Sequence, residues 1–406
     1  ALAEGGHNAT LSAPRRYGKT SLLKQLAEDG ETKADMVVVA VDFSDVLSAA
    51  DVAARLEQSY RALRGPAARF VADHLQSVGI GTPAGGIVLQ RTARPEPIAV
   101  IHELLELPVT MHERDAKRVL VIYDEFQALI ALQGMDGVFR SHLQHHADAA
   151  SYVFSGSEPS LLQALFEDRA RPLYGQAELY RLGRLPDQDG ATFVAERFAQ
   201  SNRRIDASAL RPLVYAADGH PQRLMLVAHR LWALTEPAET ADLRLLHRAY
   251  EAAMRQVDAE MRGLWESLSA NERRVLLGVA AGLSPTASET VAMTGLRSRS
   301  SAQRATEPLV GRGVLEREAD ESYRIVDPLL QRWTLRRPGA RPIAFVLPSP
   351  PGWLVTDGPS LVFEHSRHDT LDDAERAAHQ IVSGRAGGDV IVYDTDDPND
   401  LPDWAV

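Results

Sequence analysis

Apolar positions along this chain follow two rhythms. A short β-like run, HNATLSA (7–13), is followed by apolar runs at MVVVAVDF (36–43), RVLVIYDEFQAL (118–129) and SYVFSGS (151–157). Runs of this kind suit parallel strands covered on both faces. Between them SLLKQLAED (21–29), DVAARLEQSYRAL (51–63) and IAVIHELLEL (98–107) place apolar residues at helical spacing. Residues 64–96 are richer in Gly, Pro and Thr and read as an irregular insertion. The order strand–loop–helix, strand–helix, strand, strand predicts a doubly wound α/β sheet with right-handed crossovers over residues 1–185.

The rhythm changes after Leu185-Pro186. TFVAERFAQS, ASALRPLVYAA and RLMLVAHRLWAL predict amphipathic helices across 186–265, with Gly219-His220-Pro221 breaking the chain and restarting it. Ser269-x-x-Glu272 is a capping box ahead of RRVLLGVAAG. SETVAMTGL predicts a second helix, and Ser300-x-x-Gln303 caps a third running to about Val310, with Pro308 expected to kink or shorten it. GVLERE and YRIVDPLLQRW predict a hairpin and a closing helix, so 266–337 reads as a winged-helix domain. Residues 338–350 form a Pro-rich linker leading into a strand. WLVTDG, SLVFEHS, LDDAERAAHQIVSG and DVIVYDTDD then predict a small α+β module of strand, strand, helix and strand over 351–406.

Composition narrows the function classes. The 406 residues are 45% hydrophobic and 24% charged, which suits globular domains with a real core. No apolar run approaches 18 residues, so no membrane partner is expected. The absence of cysteine excludes disulfides, thiolate catalysis and cysteine-ligated metals, and suits a reducing cytoplasm, the expected location. ALAEGG at the start reads as the end of a helix whose beginning is missing. A net charge of −11 argues against nucleic-acid binding by the whole surface. Locally the balance reverses: Met293 to Arg337 carries nine arginines against six acids. From Gly352 onward twelve acids face three arginines, which reads as a solvated acidic surface.

Ala13-Pro14-Arg15-Arg16-Tyr17-Gly18-Lys19-Thr20 is an [AG]xxxxGK[ST] phosphate-binding loop, followed by Ser21 in the first helical turn. Gly18 permits close backbone approach to phosphate oxygens, and the helix N-terminus turns N–H groups and positive dipole toward them. Lys19 is placed to reach β- and γ-phosphates, and the Thr20 hydroxyl to ligate Mg²⁺. Asp124 and Glu125 end a buried strand about 100 residues later. There a carboxylate holds the Mg²⁺ shell and the next Glu orients or deprotonates attacking water. Ser155 or Ser157 is a candidate contact for the γ-phosphate or the lytic water, with a plain Ser-Gly turn as the alternative. His142, His145 and His146 stand at helical spacing on one face, but no local carboxylate sits at ligand spacing, so they are not read as a metal site.

APRRYGKTSLL, VIYDEFQAL, VFSGSEPSLL, RPLYGQAEL and GHPQRLMLVAHRLW, in this order, resemble the archaeal-type ATPases of the AAA+/STAND group and their bacterial relatives. The resemblance covers about residues 1–337. It implies a P-loop ATPase core, a helical lid over 186–265, a winged helix, and ATP-dependent switching with Mg²⁺. It implies phosphate and Mg²⁺ binding by Lys19 and Thr20, Mg²⁺ support by Asp124 and water activation by Glu125. Lys19, Asp124 and Glu125 are thus the expected catalytic set, and Arg223, one turn past the GHP break, is a candidate γ-phosphate sensor. His220 beside it is a candidate base contact or a plain turn residue. ATP over GTP rests on this resemblance, since no guanine-reading NKxD motif is present. Where many relatives read PLYGR, this chain reads PLYGQ; Gln176 cannot carry a trans-acting arginine's charge, leaving Arg169 or Arg171 as substitutes or as surface arginines. Gln303 and Arg304 sit where a recognition helix meets a groove, so duplex DNA is a candidate partner. The other readings are a structural or protein-docking winged helix, self-association of the chain, and a module of a defence or signalling assembly that uses the nucleotide domain as a sensor.

Overall fold

The computed structural model describes residues 5–78, 80, 96–286, 291, 295–318, 321–337, 343–349, 352–356, 364–383 and 389–392. The chain divides into two compact units between Gly183 and Arg184.

The first unit is built on five parallel strands: β1 (Ala9–Ser12), β2 (Val37–Asp42), β3 (Val119–Asp124), β4 (Ala150–Gly156) and β5 (Glu178–Arg181). Their order is β2-β3-β4-β1-β5. β4 therefore lies between the strand that ends in the phosphate loop and the strand that ends in Asp124. Alternation explains the continuous apolar runs. Val119, Val121 and Tyr123 face one core, with Tyr152 and Phe154 from β4. Leu120 and Ile122 face the other, with Val153, Val38 and Leu23. The larger core is covered by α2 (Ala49–Arg61), α3 (Gly65–Ser77), α4 (Pro97–Asp115), α5 (Met135–Leu143) and α6 (Pro159–Glu167), and the smaller one by α1 (Lys19–Thr32).

Three expectations for this unit need correction. Residues 64–96 are not wholly irregular, because Gly65–Ser77 is helical and buries Val71 and Leu75; 79 and 81–95 lie outside the described residues. The helix expected at 98–107 runs on through Pro108 to Asp115. Burial of Leu107, Pro108 and Met111 outweighs the lost backbone bond at the proline. The short edge strand β5 was not expected; its four residues pair with β1 alone.

The second unit contains α7 (Asp187–Gln200), α8 (Ala207–Ala217), α9 (Pro221–Leu234) and the long α10 (Leu243–Ser267), with a two-residue pairing of β6 (Arg204–Ile205) and β7 (Thr240–Ala241). α11 (Ala270–Ala280) begins with the predicted capping box of Ser269 and Glu272. α12 (Arg299–Gly311) is capped by Ser298 rather than Ser300, and it continues past Pro308. The segment SETVAMTGL falls largely outside the described residues. An antiparallel hairpin, β8 (Leu315–Arg317) with β9 (Tyr323–Ile325), precedes α13 (Pro328–Leu335). One continuous core, from Val194 to Trp333, joins α7–α10 to these later elements.

Gly219 shows why the break before α9 needs glycine. Its φ is +63°, and a Cβ there would stand 2.7 Å from the Arg184 Cβ and 2.9 Å from the Leu185 carbonyl oxygen. His220 then caps α9, its Nδ1 accepting the Arg223 N–H at 3.4 Å. Burial pushes this imidazole down to about 4, against an upward pull from Asp327 and with a further push down from Arg223. Its folded-state value lies below the unfolded one, so the stabilisation is complete above about pH 6.5 and is lost as pH falls toward 4. Asn at this position keeps a capping acceptor and cannot titrate. His220→Asn should therefore flatten the loss of stability between pH 6.5 and 4, read from urea midpoints across that window. An unchanged slope would place the acid sensitivity elsewhere.

The C-terminal module has its own small core of Val346, Val355, Ala374, Ala378 and Val382. Residues expected to be linker supply β10 (Ile343–Ser349), which sits inside a sheet ordered β12-β11-β10-β13 with β11 (Gly352–Thr356), β12 (Glu364–His368) and β13 (Asp389–Val392). α14 (Leu371–Ser383) connects β12 to β13. Pro348 is tolerated because β13 pairs only with Ile343 to Val346, so at Pro348 β10 is paired on its β11 side.

Candidate functional site

β1 delivers the chain into the loop at Ala13, and α1 starts at Lys19. Gly18 is the N-cap residue, in a left-handed conformation with φ +85°, and no side chain caps the helix. Arg16 is also left-handed, at φ +70°. Two such reversals within three residues curl the backbone of the loop, which is the shape that turns peptide groups toward an anion. Ala13 and Tyr17 are buried, Pro14 is half-buried, and Arg15, Arg16, Thr20 and Ser21 are exposed. The loop is thus anchored from beneath by Tyr17 while its arginines face solvent.

Lys19 is buried at 7% exposure, and its ammonium is held by two carboxylates. Nζ lies 3.0 Å from Asp124 Oδ1 and 2.9 Å from Glu125 Oε1. The parallel pairing brings this about: β3 ends at Asp124 two strands away from β1, and the side chain of Lys19 spans the gap over β4. Glu125 itself is left-handed, at φ +52°, and opens a 3-10 turn over Phe126–Ala131. That turn returns Gln127 to the same carboxylate, Nε2 donating to Glu125 Oε2 at 2.5 Å. From the end of β4, Ser157 donates to the same oxygen through Oγ at 2.7 Å and through its N–H at 3.3 Å. Half-burial pushes the Glu125 carboxyl up, but the hydrogen bonds from Lys19, Gln127 and Ser157 and the Lys19 charge outweigh it and hold the carboxyl at about 2. Glu125 is an oriented anion with every polar contact made by a defined partner.

The structure therefore brings together Lys19, Asp124, Glu125 and Ser157. It separates the two serine candidates: Ser155 is fully buried in β4 and its Oγ has no hydrogen-bond partner within the described residues. Gln127 was not foreseen, although its place two residues past Glu125 is the signal. Gly156 faces it closely, and a Cβ there would stand 2.2 Å from Gln127 Oε1. Gly156→Ala should displace the Gln127 amide and loosen its hold on Glu125, as a structure of the variant would show.

Arg223 belongs to the second unit and is 1% exposed. Its guanidinium is held by Asp327, with Nε 2.9 Å from Oδ2 and 3.0 Å from Oδ1, and Nη2 lies 3.4 Å from Glu260. The arginines weighed against Gln176 are also placed. Arg171 Nη1 lies 3.3 Å from Asp136 and Arg169 is exposed. Gln176 itself accepts a hydrogen bond from Arg140, a residue the sequence reading passed over.

No protein-family model matches the chain, and no curated protein matches it. Solved structures do. The Walker-type ATPase PABY2304 of Pyrococcus abyssi superposes with a TM-score of 0.56 at 19% identity, covering 81% of this chain and 91% of that one. The chain has a P-loop ATPase fold. The Aeropyrum pernix ORC2 protein matches at 13% identity and TM-score 0.48, over 81% of this chain and 86% of that one. The Thermotoga maritima RuvB branch migration motor matches at 13% identity and TM-score 0.40, over 82% and 88%. Within the P-loop fold, the acids of β3 and the helix N-terminus occupy the carboxyl ends of the strands, where open α/β sheets place ligands. No helix among the described residues is long and apolar enough to cross a membrane.

Proposed function

We propose that the first unit binds ATP with Mg²⁺ and hydrolyses it, as a switch of the AAA+/STAND kind whose nucleotide state is coupled to the helical second unit. The observation that carries this is the shared grip of Lys19 on Asp124 and Glu125 beside a helix that opens on a left-handed glycine. The residue types fit Mg²⁺: a hydroxyl at Thr20 and a carboxylate at Asp124 are hard oxygen donors. When bound, Mg²⁺ neutralises charge between phosphate oxygens.

Lys19 has two claims on it. A phosphate in the loop competes with the carboxylates for the same ammonium. Once Lys19 turns to phosphate, Glu125 loses a hydrogen bond and the charge that hold its proton affinity down. Gln127 and Ser157 still orient it. The carboxylate that is a weak base in the resting protein becomes a better one when substrate is bound, which restrains idle chemistry. Water attacks the γ-phosphorus, the bond to the β–γ bridging oxygen breaks, and the water's proton passes toward Glu125. Arg223 is left out of this scheme: to read a γ-phosphate it would have to exchange Asp327 and Glu260, which hold its guanidinium in the resting protein.

Lys19→Ala should weaken ATP binding by roughly 10- to 100-fold, the worth of a charge-assisted contact, in an equilibrium titration with a fluorescent ATP analogue. Parental affinity in this variant would remove the proposal. A second reading, duplex DNA contact, rests on Gln303 and Arg304, both exposed on α12. It requires salt-dependent duplex binding that is lost when both are changed to Ala.

A further inference from the structure

The three histidines at 142, 145 and 146 do not share a helix face. α5 ends at Leu143, and His145 turns to solvent beside the Gln144 amide. His142 and His146 turn inward instead, and the carboxylate missing from the local sequence comes from the middle of α4. One Glu106 oxygen hydrogen-bonds His142 Nδ1, and the other lies 3.7 Å from His146 Nε2. Ligand atoms of Glu106, His142 and His146 all lie within 4.8 Å of one another.

We propose that Glu106, His142 and His146 form a binding site for zinc or a closely similar divalent transition cation. Two imidazoles and one carboxylate make a donor set suited to Zn²⁺, with a fourth position for water, whereas Mg²⁺ and Ca²⁺ favour oxygen donors alone. The outer nitrogen of each imidazole is already held, which fixes the ring and leaves the inner nitrogen to face the cation. His146 Nδ1 stands 2.6 Å from the Tyr152 hydroxyl, and His142 Nε2 stands 2.7 Å from Nδ1 of His102, one turn before Glu106 on α4. His146 is 2% exposed, and its Nε2 is buried with no hydrogen-bond partner within the described residues. The Glu106 oxygen at 3.7 Å stands too far for a hydrogen bond, and leaving a buried ring nitrogen without one costs about 1–3 kcal/mol, which a cation between the two would offset. Glu106 is half exposed and free to swing the short distance that closes the set.

The site is separate from the phosphate loop. His146 comes four residues before β4 begins, while Ser157, which holds Glu125, comes just after β4 ends. A cation here would tie α4 to the end of α5 and the entry of β4.

The test uses the full chain without a histidine tag, stripped with chelator and kept in excess Mg²⁺ so that the phosphate-loop acids are not counted. Co²⁺ serves as the spectroscopic probe and Zn²⁺ is titrated against a chromophoric chelator. One Co²⁺ per chain with the intense visible bands of four- or five-coordination, displaced by Zn²⁺, is expected. Glu106→Gln and His142→Gln should each weaken Zn²⁺ binding by at least about 100-fold, beyond the loss seen for outer-shell partners. Zn²⁺ should raise the Tm of the parent and leave that of Glu106→Gln unchanged. His145→Ala should bind like the parent. The half-exposed position of Glu106 keeps that variant folded. Equal Zn²⁺ affinity in the parent and both ligand variants, or only the weak bands of six-coordinate Co²⁺, would overturn the proposal.

Discussion

Replacing Glu125 by Gln should slow ATP turnover by at least about 100-fold and leave nucleotide bound, because general-base assistance contributes roughly 10²–10⁴-fold. The substitution is nearly isosteric. Its amide oxygen still accepts from Ser157 or Gln127, so the 3-10 turn and the end of β4 keep their places. What disappears is the negative charge that accepts a proton and that binds Lys19 in the resting protein. With one carboxylate fewer competing for its ammonium, Lys19 is more available to phosphate, so ATP affinity should hold steady or rise. Phosphate release under saturating ATP and equilibrium binding of a non-hydrolysable analogue separate the two effects. Turnover at the parental rate would show that Glu125 does not activate water.

The second large effect concerns stability. Arg223→Met should destabilise the second unit by about 3–5 kcal/mol, the usual result of removing one partner from a buried ion pair. Asp327 accepts three hydrogen bonds from the Arg223 guanidinium and also caps α13 through the N–H groups of Leu329 and Leu330. It therefore joins α9 to the start of α13, and Glu260 adds α10 to the same charge. Asp327→Asn keeps the cap yet leaves the guanidinium with only the half-exposed Glu260, so it should also destabilise, by less. Urea unfolding of the parent and both variants checks this order. A variant that stays as stable as the parent but binds ATP more weakly would instead restore the γ-phosphate sensor read from the sequence.

Local chemistry accounts for what was legible. The phosphate loop, the Asp124-Glu125 pair and the Ser269-Glu272 capping box are short-range devices, and each stands where its residues announced it. The central strands were legible because burial on both faces leaves almost no polar residue within them. β5 was not, because an edge strand of four residues carries no such run. Nor was β10, whose proline-rich flanks read as linker although its middle is strand. The continuation of α4 through Pro108 depends on a core that the local pattern cannot display.

The sequence by itself determined the fold class and which residue types stand at the carboxyl ends of the strands, since a phosphate loop and strand-end acids need particular residues at particular spacings. Only the tertiary structure decided who meets whom. It placed Lys19 on both acids, set Ser157 against Glu125 and buried Ser155, bound Arg223 to Asp327 across 104 residues, and carried Glu106 to His142 and His146. These are contacts between residues far apart in the chain. Their partners follow from strand order and helix packing, which the spacing of residues along one element does not encode.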